Sequence, residues 1–396
     1  MALIDQVKEI RRALHQNPEL GGEEWETSKR IQEELQKAGI PFKTGFAKTG
    51  VLGIIEGNEE GGTVALRADI DALPILEKTA VEFKSKVDGK MHACGHDAHT
   101  SMLLGTAFKL QKMKEQLPGR VLLVFQPNEE SSPIGGARPM MEDGVFDEFQ
   151  PDVIFGQHVW PDLAVGQIGV REKEMMGASD KLSFTIKGAG GHASMPHQGK
   201  DAIVVTAEFI SALQSVVSRN VNPLESAVIT IGTIEGGYRY NVIADQVMLK
   251  GTVRTYSKKA KDTVKRRLEN LVKGFEIAYE VKIDFDYAEG YGATINTPKW
   301  SELVRESASG LLGEDALPEV DPSMAGEDFS RFLEKIPGAF YWLGCSKAGE
   351  ESPKPLHDPE FFFDESALEV GIETMTKVTV DALNKLKGEQ SKTPKA

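Results

Sequence analysis

The chain has 396 residues, of which 40% are hydrophobic and 27% are charged, a balance typical of a globular protein long enough for two domains. Its net charge of −14, without a lysine- and arginine-rich stripe, argues against a nucleic-acid partner. No apolar run approaches the ~20 residues of a membrane span, and two cysteines cannot form a dense disulfide framework. We therefore expect a cytoplasmic protein without a membrane partner.

The first part of the chain predicts two helices followed by two strands. Apolar residues at helical spacing over 1–14 indicate an amphipathic helix rather than a signal peptide, and a second helix is predicted over 24–37. Strands are predicted over 51–56 and 63–67, around a glycine-rich turn. The second strand leads into Asp69-Ile70-Asp71, so we expect both carboxylates close to the residues that follow.

Residues 91–100 read Met-His-Ala-Cys-Gly-His-Asp-Ala-His-Thr and have the composition of a metal site. Imidazole, thiolate and carboxylate are the ligands that zinc and similar metals accept, and Gly95 would let Cys94 and His96 converge. A helix predicted over 100–116 places this stretch at a helix N-terminus, where the dipole would favour ionised Cys94. We expect His92 and His99 to have structural or supporting roles instead.

Further ligands must come from elsewhere, because two neighbouring donors cannot complete a metal's coordination. Short buried strands are predicted over 121–125 and 153–155, and each precedes polar residues, Glu129-Glu130 and His158 respectively. Residues just past the C-terminal ends of such strands commonly form sites in α/β folds. Adjacent Glu129 and Glu130 would point in opposite directions in an extended segment, so one could bind metal while the other faces substrate.

The middle of the chain predicts a separate domain. Its segments read as strand, helix, strand, strand, helix and strand over 181–187, 202–217, 227–233, 242–254, 263–279 and 281–287. This is the split βαβ, ferredoxin-like order, and glycines at 176–178 and 290–292 resemble hinges. The predicted domains are therefore 1–177 with 291–396, and 178–290. The first resumes with a helix over 300–312, a strand over 339–343, His357, a helix over 364–386 and a disordered tail.

Five motifs carry a family resemblance. In chain order they are Arg67-Ala68-Asp69-Ile70-Asp71-Ala72-Leu73-Pro74, His92-Ala93-Cys94-Gly95-His96-Asp97-Ala98-His99-Thr100, Glu129-Glu130, Gly191-His192-Ala193-Ser194 and Asn241-Val242-Ile243. Over nearly its whole length the chain resembles the M20 metallopeptidases, specifically the branch of N-acyl-amino-acid, hippurate and auxin-conjugate amidohydrolases. The resemblance implies an α/β fold with a mixed-sheet, zinc-peptidase-like α/β/α catalytic domain and an inserted ferredoxin-like α+β lid and dimerisation domain.

The resemblance also implies roles for individual residues. Two divalent ions, Zn²⁺ foremost with Mn²⁺, Co²⁺ or Ni²⁺ as substitutes, would be held by Cys94, His96, Glu130, His158 and His357. Glu129 would be the general base, and His192 would reach a partner protomer's metal site to stabilise the oxyanion, which implies a homodimer or a dimer-based oligomer. Asn241 and Arg254, at the start and end of one predicted strand, would bind the substrate's carboxylate. Asp69 and Asp71 would accept the free N–H of ligand histidines.

These roles predict metal-dependent hydrolysis of N-acyl-L-amino acids. Three alternatives remain at this point. The substrate class could instead be that of a dipeptidase or carboxypeptidase of the same family, acting on small peptides. Cys94 could be a nucleophile with His96 or His99 as its base, or the chain could be a metal-binding regulator without catalysis.

Overall fold

The computed structural model describes residues 2–350 and 352–391 and forms two compact units. Unit 1 comprises Met1–Met175, Ile295–Pro322 and Asp328–Ala396, and unit 2 comprises Met176–Thr294 and Ser323–Glu327. The sequence prediction had placed residues 323–327 with the catalytic domain. They belong to unit 2 because the N–H of Gly177 donates to the carbonyl oxygens of Ser323 and Ala325.

The helices and strands are numbered in chain order. The helices are α1 (Leu3–Gln16), α2 (Trp25–Lys37), α3 (His96–Lys112), α4 (Ala137–Glu142), α5 (Ala202–Asn220), α6 (Lys258–Tyr279), α7 (Pro298–Leu312), α8 (Ser330–Leu333) and α9 (Ala367–Gln390). The strands are β1 (Phe42–Phe46), β2 (Gly50–Glu56), β3 (Glu59–Asp69), β4 (Pro118–Gln126), β5 (Val153–Ala164), β6 (Ile168–Gly169), β7 (Lys173–Met176), β8 (Ala178–Lys187), β9 (Gly191–His192), β10 (Ala227–Gly236), β11 (Val242–Ile243), β12 (Gln246–Thr255), β13 (Lys282–Tyr291), β14 (Thr294–Asn296) and β15 (Gly338–Ser346).

A seven-stranded sheet in the order β1-β2-β4-β3-β5-β15-β6 forms the centre of unit 1. The inner strands β4, β3, β5 and β15 run parallel, while β1, β2 and β6 pair antiparallel. Strand β4 is apolar and buried from Val121 to Phe125, as expected for a parallel strand covered on both faces. Helices α1, α3 and α9 pack against one another, and α3 and α9 also pack on β3. The predicted mixed α/β sheet is confirmed.

The C-terminal ends of the parallel strands gather the polar segments at one edge of this sheet. Strand β3 ends at Asp69, whose register partner on β4 is Gln126, so the segments that follow both strands start side by side. His158 lies inside β5 rather than after it, contrary to the prediction. The strand continues to Ala164 because it pairs with β15, where Trp342 is the partner of His158.

Helix α3 begins at His96, four residues before the predicted start. Gly95 precedes it with φ +84°, a left-handed conformation that glycine adopts without a Cβ penalty. A Cβ built on Gly95 would lie 2.4 Å from Cγ2 of Val159, so the turn also requires the missing side chain. Gly95 therefore sets the backbone turn between Cys94 and His96.

At the other end of the chain, α9 extends to Gln390 instead of ending near 386, and residues 392–396 of the predicted tail lie outside the described residues.

Unit 2 contains a four-stranded antiparallel sheet in the order β10-β12-β8-β13, with α5 after β8 and α6 after β12. Its core is formed by side chains such as Phe184 on β8, Phe209 on α5 and Leu268 on α6. By length and composition alone α5 could cross a membrane, which the sequence prediction had not anticipated. In this fold α5 packs one face against the sheet, where Phe209 and Leu213 are buried, and 33% of its apolar window is buried in all.

The predicted strand over 242–254 is wrong, since two separate strands occupy it. Strand β11 pairs antiparallel with β9 in a small ribbon, whereas β12 lies between β10 and β8 in the main sheet. The break falls at Asp245, whose carbonyl oxygen accepts the N–H of Gly188 and whose carboxylate accepts the Tyr238 hydroxyl. Asn241 consequently lies in the turn just before β11, whereas Arg254 lies on β12.

Candidate metal centre

His96 occupies the first position of α3 and is held through one ring nitrogen. Its Nδ1 lies 2.9 Å from the carbonyl oxygen and 3.2 Å from Oδ1 of Asp71, so this nitrogen carries the hydrogen that is donated. Its Nε2 is buried, has no hydrogen-bond partner among the described residues and lies 3.6 Å from Oδ2 of Asp69. A histidine fixed at Nδ1 with Nε2 left open has the arrangement of a metal ligand.

His158 on β5 is oriented in the same way. Its Nδ1 donates to the carbonyl oxygen of Val159 at 2.7 Å, and its Nε2 points to Sγ of Cys94 at 3.5 Å. Burial, with the neighbouring His99 adding to it, holds the pKa of His158 well below its ordinary value. The imidazole is therefore neutral, with the lone pair of Nε2 directed at the thiol.

His357 reaches the same point from the far end of the chain. Its Nε2 lies 3.3 Å from Sγ of Cys94 and 3.1 Å from Oε1 of Glu130. The N–H of His357 donates to the carbonyl oxygen of Ala93, and the residue has φ +68°, an uncommon conformation for histidine. The backbone bond and the strained conformation together fix the ring beside Cys94.

Glu130 completes a compact set of donors. Its N–H donates to Oδ2 of Asp71 at 2.9 Å, so Asp71 supports both Glu130 and His96. Cys94, His96 and Glu130 each have a donor atom within 4.8 Å of donor atoms of the other two. The structure thus brings the five sequence-predicted ligands to one place. Three of them, Cys94, His96 and His158, are buried, and half of the His357 side chain is exposed.

The pKa values of Cys94 and His96 are shifted by nearby carboxylates whose negative charge no bound cation balances. Burial raises the pKa of the Cys94 thiol well above its ordinary value, and Glu130, Glu129 and Asp69 raise it further. Burial lowers the pKa of His96, but Asp69 and Asp71 outweigh it and raise the value to about 10. In the absence of a metal, any help that the α3 dipole gives to Cys94 ionisation is outweighed by burial and by these carboxylates, which keep the pKa of the thiol raised. Both groups would lose their protons to a bound cation, which fits the thiolate, imidazole and carboxylate donor set.

His99 lies beside these donors but has no open nitrogen. Its Nδ1 lies 2.6 Å from Oδ1 of Asp69, and its Nε2 accepts the N–H of Val159 at 2.9 Å. Asp69, His96, His99 and His158 form a second group of possible metal ligands, because one donor atom from each lies within 4.8 Å of the others. Both His99 nitrogens are already used, so His99 can be neither a ligand nor a base for Cys94. Asp69 therefore accepts a hydrogen bond from Nδ1 of His99, while its other oxygen lies 2.8 Å from Nη1 of Arg67. Contrary to the sequence prediction, it does not accept the Nδ1 hydrogen of a predicted metal ligand.

Glu129, the predicted base, is buried in the loop between β4 and α4. It is 6% exposed, and its Oε1 accepts the backbone N–H of Asp328 at 3.2 Å. Its charge contributes to the raised pKa of Cys94, which places its carboxylate within electrostatic range of the thiol. A carboxylate in this position can exchange a proton with a molecule bound at the donor cluster.

A buried ionic network behind α3 was missed in the sequence. Asp97 accepts from Nε of Arg11 at 2.7 Å and from Nδ1 of His15 at 2.9 Å, and Nε2 of His15 lies 3.2 Å from Glu77. The available signal was the spacing of Arg11 and His15, four residues apart on the apolar face of α1. This network ties the start of α3 to α1.

The remaining predicted site residues belong to unit 2. His192 is exposed at the end of β9, where Nδ1 accepts the N–H of Ser194 at 3.1 Å, and its register partner on β11 is Val242. Oδ1 of Asn241, just before β11, is buried and lacks a hydrogen-bond partner among the described residues. Arg254 on β12 is partly buried, which lowers the pKa of its guanidinium, while the charge of Asp180 opposes this shift.

The chain is similar to several known hydrolases. A model of the peptidase family M20/M25/M40 matches residues 65–381. The N-acetyl-L-cysteine deacetylase of Bacillus subtilis (strain 168) is 43% identical over 361 residues, covering 91% of this chain and 84% of that protein. Thermostable carboxypeptidase 2 of Saccharolobus solfataricus is 39% identical over 372 residues, covering 93% of each.

A solved structure extends the similarity to the whole fold. The crystal structure of a Bacillus subtilis protein described as a dinuclear metal binding peptidase from the M20 family matches with a TM-score of 0.84 and 36% identity. The match covers 96% of this chain and 99% of that one. These similarities confirm the resemblance seen in the motifs. The chain belongs to the peptidase family M20/M25/M40 and is a metal-dependent hydrolase of amide bonds.

Proposed function

We propose that the protein hydrolyses N-acyl-L-amino acids, releasing a carboxylate and a free amino acid. One observation carries the proposal: Cys94, His158, His357 and Glu130 converge within hydrogen-bond distances, and His96 directs an open, buried nitrogen into the same cluster. The relatives named as deacetylases support an acyl group on the amino nitrogen.

The donor set supports two divalent ions per subunit. Cys94, His96, Glu130, His158 and His357 would hold them, with one residue shared between the ions. Zn²⁺ suits the mixed thiolate, imidazole and carboxylate donors best, and Mn²⁺, Co²⁺ or Ni²⁺ could replace it. The ions would polarise the amide carbonyl and lower the pKa of a water to ~7, which supplies the nucleophile near neutral pH.

The chain's own residues would move the proton and stabilise the developing charge. Glu129 would accept the proton of the attacking water and deliver it to the leaving nitrogen, while the N–H of Asp328 keeps its Oε1 oriented. His192, supplied by the partner in a homodimer, would donate a hydrogen bond to the oxyanion. Its exposed position on β9 supports a role toward a group outside its own unit's core.

Recognition of the amino acid is assigned to unit 2. Arg254 has no ion-pair partner among the residues that the structure describes, and it is partly buried, so a substrate carboxylate would relieve its unpaired charge. The unpartnered Oδ1 of Asn241 marks a second polar group available to a ligand.

The free thiol required at Cys94 supports a reducing, cytoplasmic setting.

Metal content and turnover measured on one preparation test this proposal. The protein should contain near two equivalents of metal by elemental analysis and release amino acids from N-acetyl or N-benzoyl substrates. A chelator should abolish the release, and added metal should restore it. Full activity without metal would contradict the proposal and return Cys94 to consideration as a nucleophile.

Two cysteine variants provide a matched control. Cys94→Ser should lose bound metal because the hydroxyl is a poor substitute for a thiolate. Cys345→Ser should retain it, because Cys345 lies on β15 in the apolar core and belongs to none of the metal-capable clusters among the described residues. Equal metal content in the two variants would remove Cys94 from the ligand set.

A peptidase is the second candidate, favoured by the similarity to a carboxypeptidase. Dipeptides and C-terminally extended acyl peptides should be assayed beside the N-acyl amino acids. A higher kcat/KM for the peptides would assign the chain to that class with the same metal centre and base. Of the two bases considered for a Cys94 nucleophile, His99 is excluded because both of its ring nitrogens are bonded, whereas His96 keeps an open Nε2, so metal dependence decides this alternative.

A further inference from the structure

The loop that carries Glu129 and Glu130 is closed at its two ends. It runs over 127–135, from the end of β4 to the start of α4. A Cβ built on Gly136 would lie only 1.7 Å from the carbonyl oxygen of Pro127, so the two ends are in direct backbone contact. Glycine at 136 is therefore required by close approach, and φ −108° shows that no unusual backbone conformation is involved.

One buried carboxylate bonds to both ends of this loop. Oδ1 and Oδ2 of Asp328 each lie 2.8 Å from Nε2 of Gln126, the residue before the loop. Oδ2 also accepts the backbone N–H groups of Gly136 at 2.8 Å and Ala137 at 2.9 Å, just after it. Asp328 is 0% exposed, so these bonds form away from water, where their loss is costly.

The same residue also bonds through its backbone to a residue within the loop, Glu129. Its N–H donates to Oε1 of Glu129 at 3.2 Å, so one residue fixes the loop ends with its carboxylate and the proposed base with its amide. Arg67 compensates the buried charge, with Nη2 at 2.9 Å from Oδ1 of Asp328 and Nε at 2.8 Å from Oε1 of Gln126. All of these groups belong to unit 1.

We infer that Asp328 is the positioning residue for Glu129: its carboxylate closes the loop 127–135, and its N–H sets the orientation of the base. The inference rests on the proposed role of Glu129 and extends it. Asp328 itself need not touch substrate, since its effect passes through the loop. A base held within hydrogen-bond geometry reacts faster than one that samples several rotamers, because orientation lowers the barrier.

A double-mutant cycle tests this coupling. Asp328→Asn leaves the backbone N–H in place but turns one oxygen into a donor, which opposes either the N–H groups of Gly136 and Ala137 or the Nη2 of Arg67 and so breaks part of the carboxylate's bonding in both cases. It should lower kcat by ~10-fold or more with KM and metal content nearly unchanged. In a Glu129→Gln background the same substitution should cause little further loss. A further loss as large as in the wild type, or an unchanged kcat in the single variant, would overturn the inference.

A milder variant covers the case in which Asp328→Asn fails to fold. Gln126→Met keeps the Asp328 side chain and removes the bonds of Gln126 Nε2 to its carboxylate, together with the Oε1 acceptor of Arg67 Nε. Its effect on kcat should be smaller than that of Asp328→Asn. It should likewise nearly vanish in the Glu129→Gln background. Asp381→Asn is the control, because this carboxylate on α9 bonds Ser307 on α7 and Lys377 on its own helix, and among the described residues it has no hydrogen bond to 127–135. Additive effects of Gln126→Met would count against positioning through the loop.

Hydrogen exchange separates this inference from the proposed function. Amides over 127–135 should exchange faster in Asp328→Asn than in the wild type, whereas Asp381→Asn should leave them unchanged. If the wild type hydrolyses no amide in the panel, the proposed function fails, and exchange alone then decides whether Asp328 closes the loop. Unchanged exchange over 127–135 would overturn the inference whatever the activity.

Discussion

The contrast between His96 and His99 shows how one hydrogen bond decides the role of a residue. Both histidines lie on the first turn of α3, and both are buried. His99 uses one nitrogen for Asp69 and the other for the N–H of Val159, whereas His96 keeps Nε2 open. The same imidazole is thus a structural support in one position and a candidate ligand three residues earlier.

Glu129 gives the sharpest residue-level prediction. Glu129→Gln should retain full metal content, because the five proposed ligands are untouched, and should lower turnover by at least ~10²-fold through loss of the base. Elemental analysis and steady-state kinetics on the same sample check this. Turnover equal to the wild type with full metal would remove Glu129 from the mechanism.

Gly95 provides a second prediction with a built-in control. Gly95→Ala should destabilise the protein by roughly 2–4 kcal/mol, because a left-handed alanine and the overlap with Val159 both cost free energy. Gly89→Ala has a similar φ of +72° but meets nothing within 4 Å, so it should cost only about 1–2 kcal/mol. Chemical denaturation compares the two, and equal losses would show that the contact with Val159 contributes nothing.

At the scale of elements, the attachment of α1 to α3 depends on a buried ion pair. Arg11→Met should cost about 3–5 kcal/mol, since it leaves Asp97 buried with only part of its compensation. Arg12→Met is the adjacent control: its side chain is 48% exposed and pairs with Glu365, so the loss should stay below about 1 kcal/mol. Denaturant midpoints measure both. Similar losses would mean that burial of the Arg11 pair is unimportant.

Local signals in the sequence predicted most elements but not how they extend. Helix α2 and strand β4 follow from apolar spacing and from the glycine and proline residues nearby, and they lie close to their predicted positions. The length of β5 depends on pairing with β15, nearly 200 residues later, which no local pattern reveals. The same limit applies to β11 and β12, which only their partners distinguish.

The candidate site was predictable in composition and less so in geometry. The types and spacing of Cys94, His96 and Glu130 predicted a metal centre, and donor atoms of the three side chains lie within 4.8 Å of one another. The Asp328 carboxylate was not identified, because its partners Gln126 and Gly136 are about 200 residues away and become neighbours only in the folded sheet. Long-range hydrogen bonds of this kind leave no periodic trace in a sequence.

At the scale of the whole molecule, the five proposed ligands all belong to unit 1. Metal should therefore stabilise unit 1 selectively, by about 2.7 kcal/mol when its free concentration is 100 times its dissociation constant. Hydrogen exchange with and without a chelator should show slower exchange of β4 and β5 with metal and little change in β8 and β12. Equal protection of both sets of strands would contradict a stabilisation confined to unit 1.

The position of β15 also has a consequence for synthesis on the ribosome. This strand inserts between β5 and β6, although unit 2 separates it from both along the chain. The four-stranded sheet of unit 2 is complete once β13 has emerged, while the seven-stranded sheet still lacks an inner strand. The nascent chain must keep the facing edges of β5 and β6 from pairing elsewhere until residue 346 is made. His357, one of the five proposed ligands, follows only after that, so the proposed donor set is complete only late in translation.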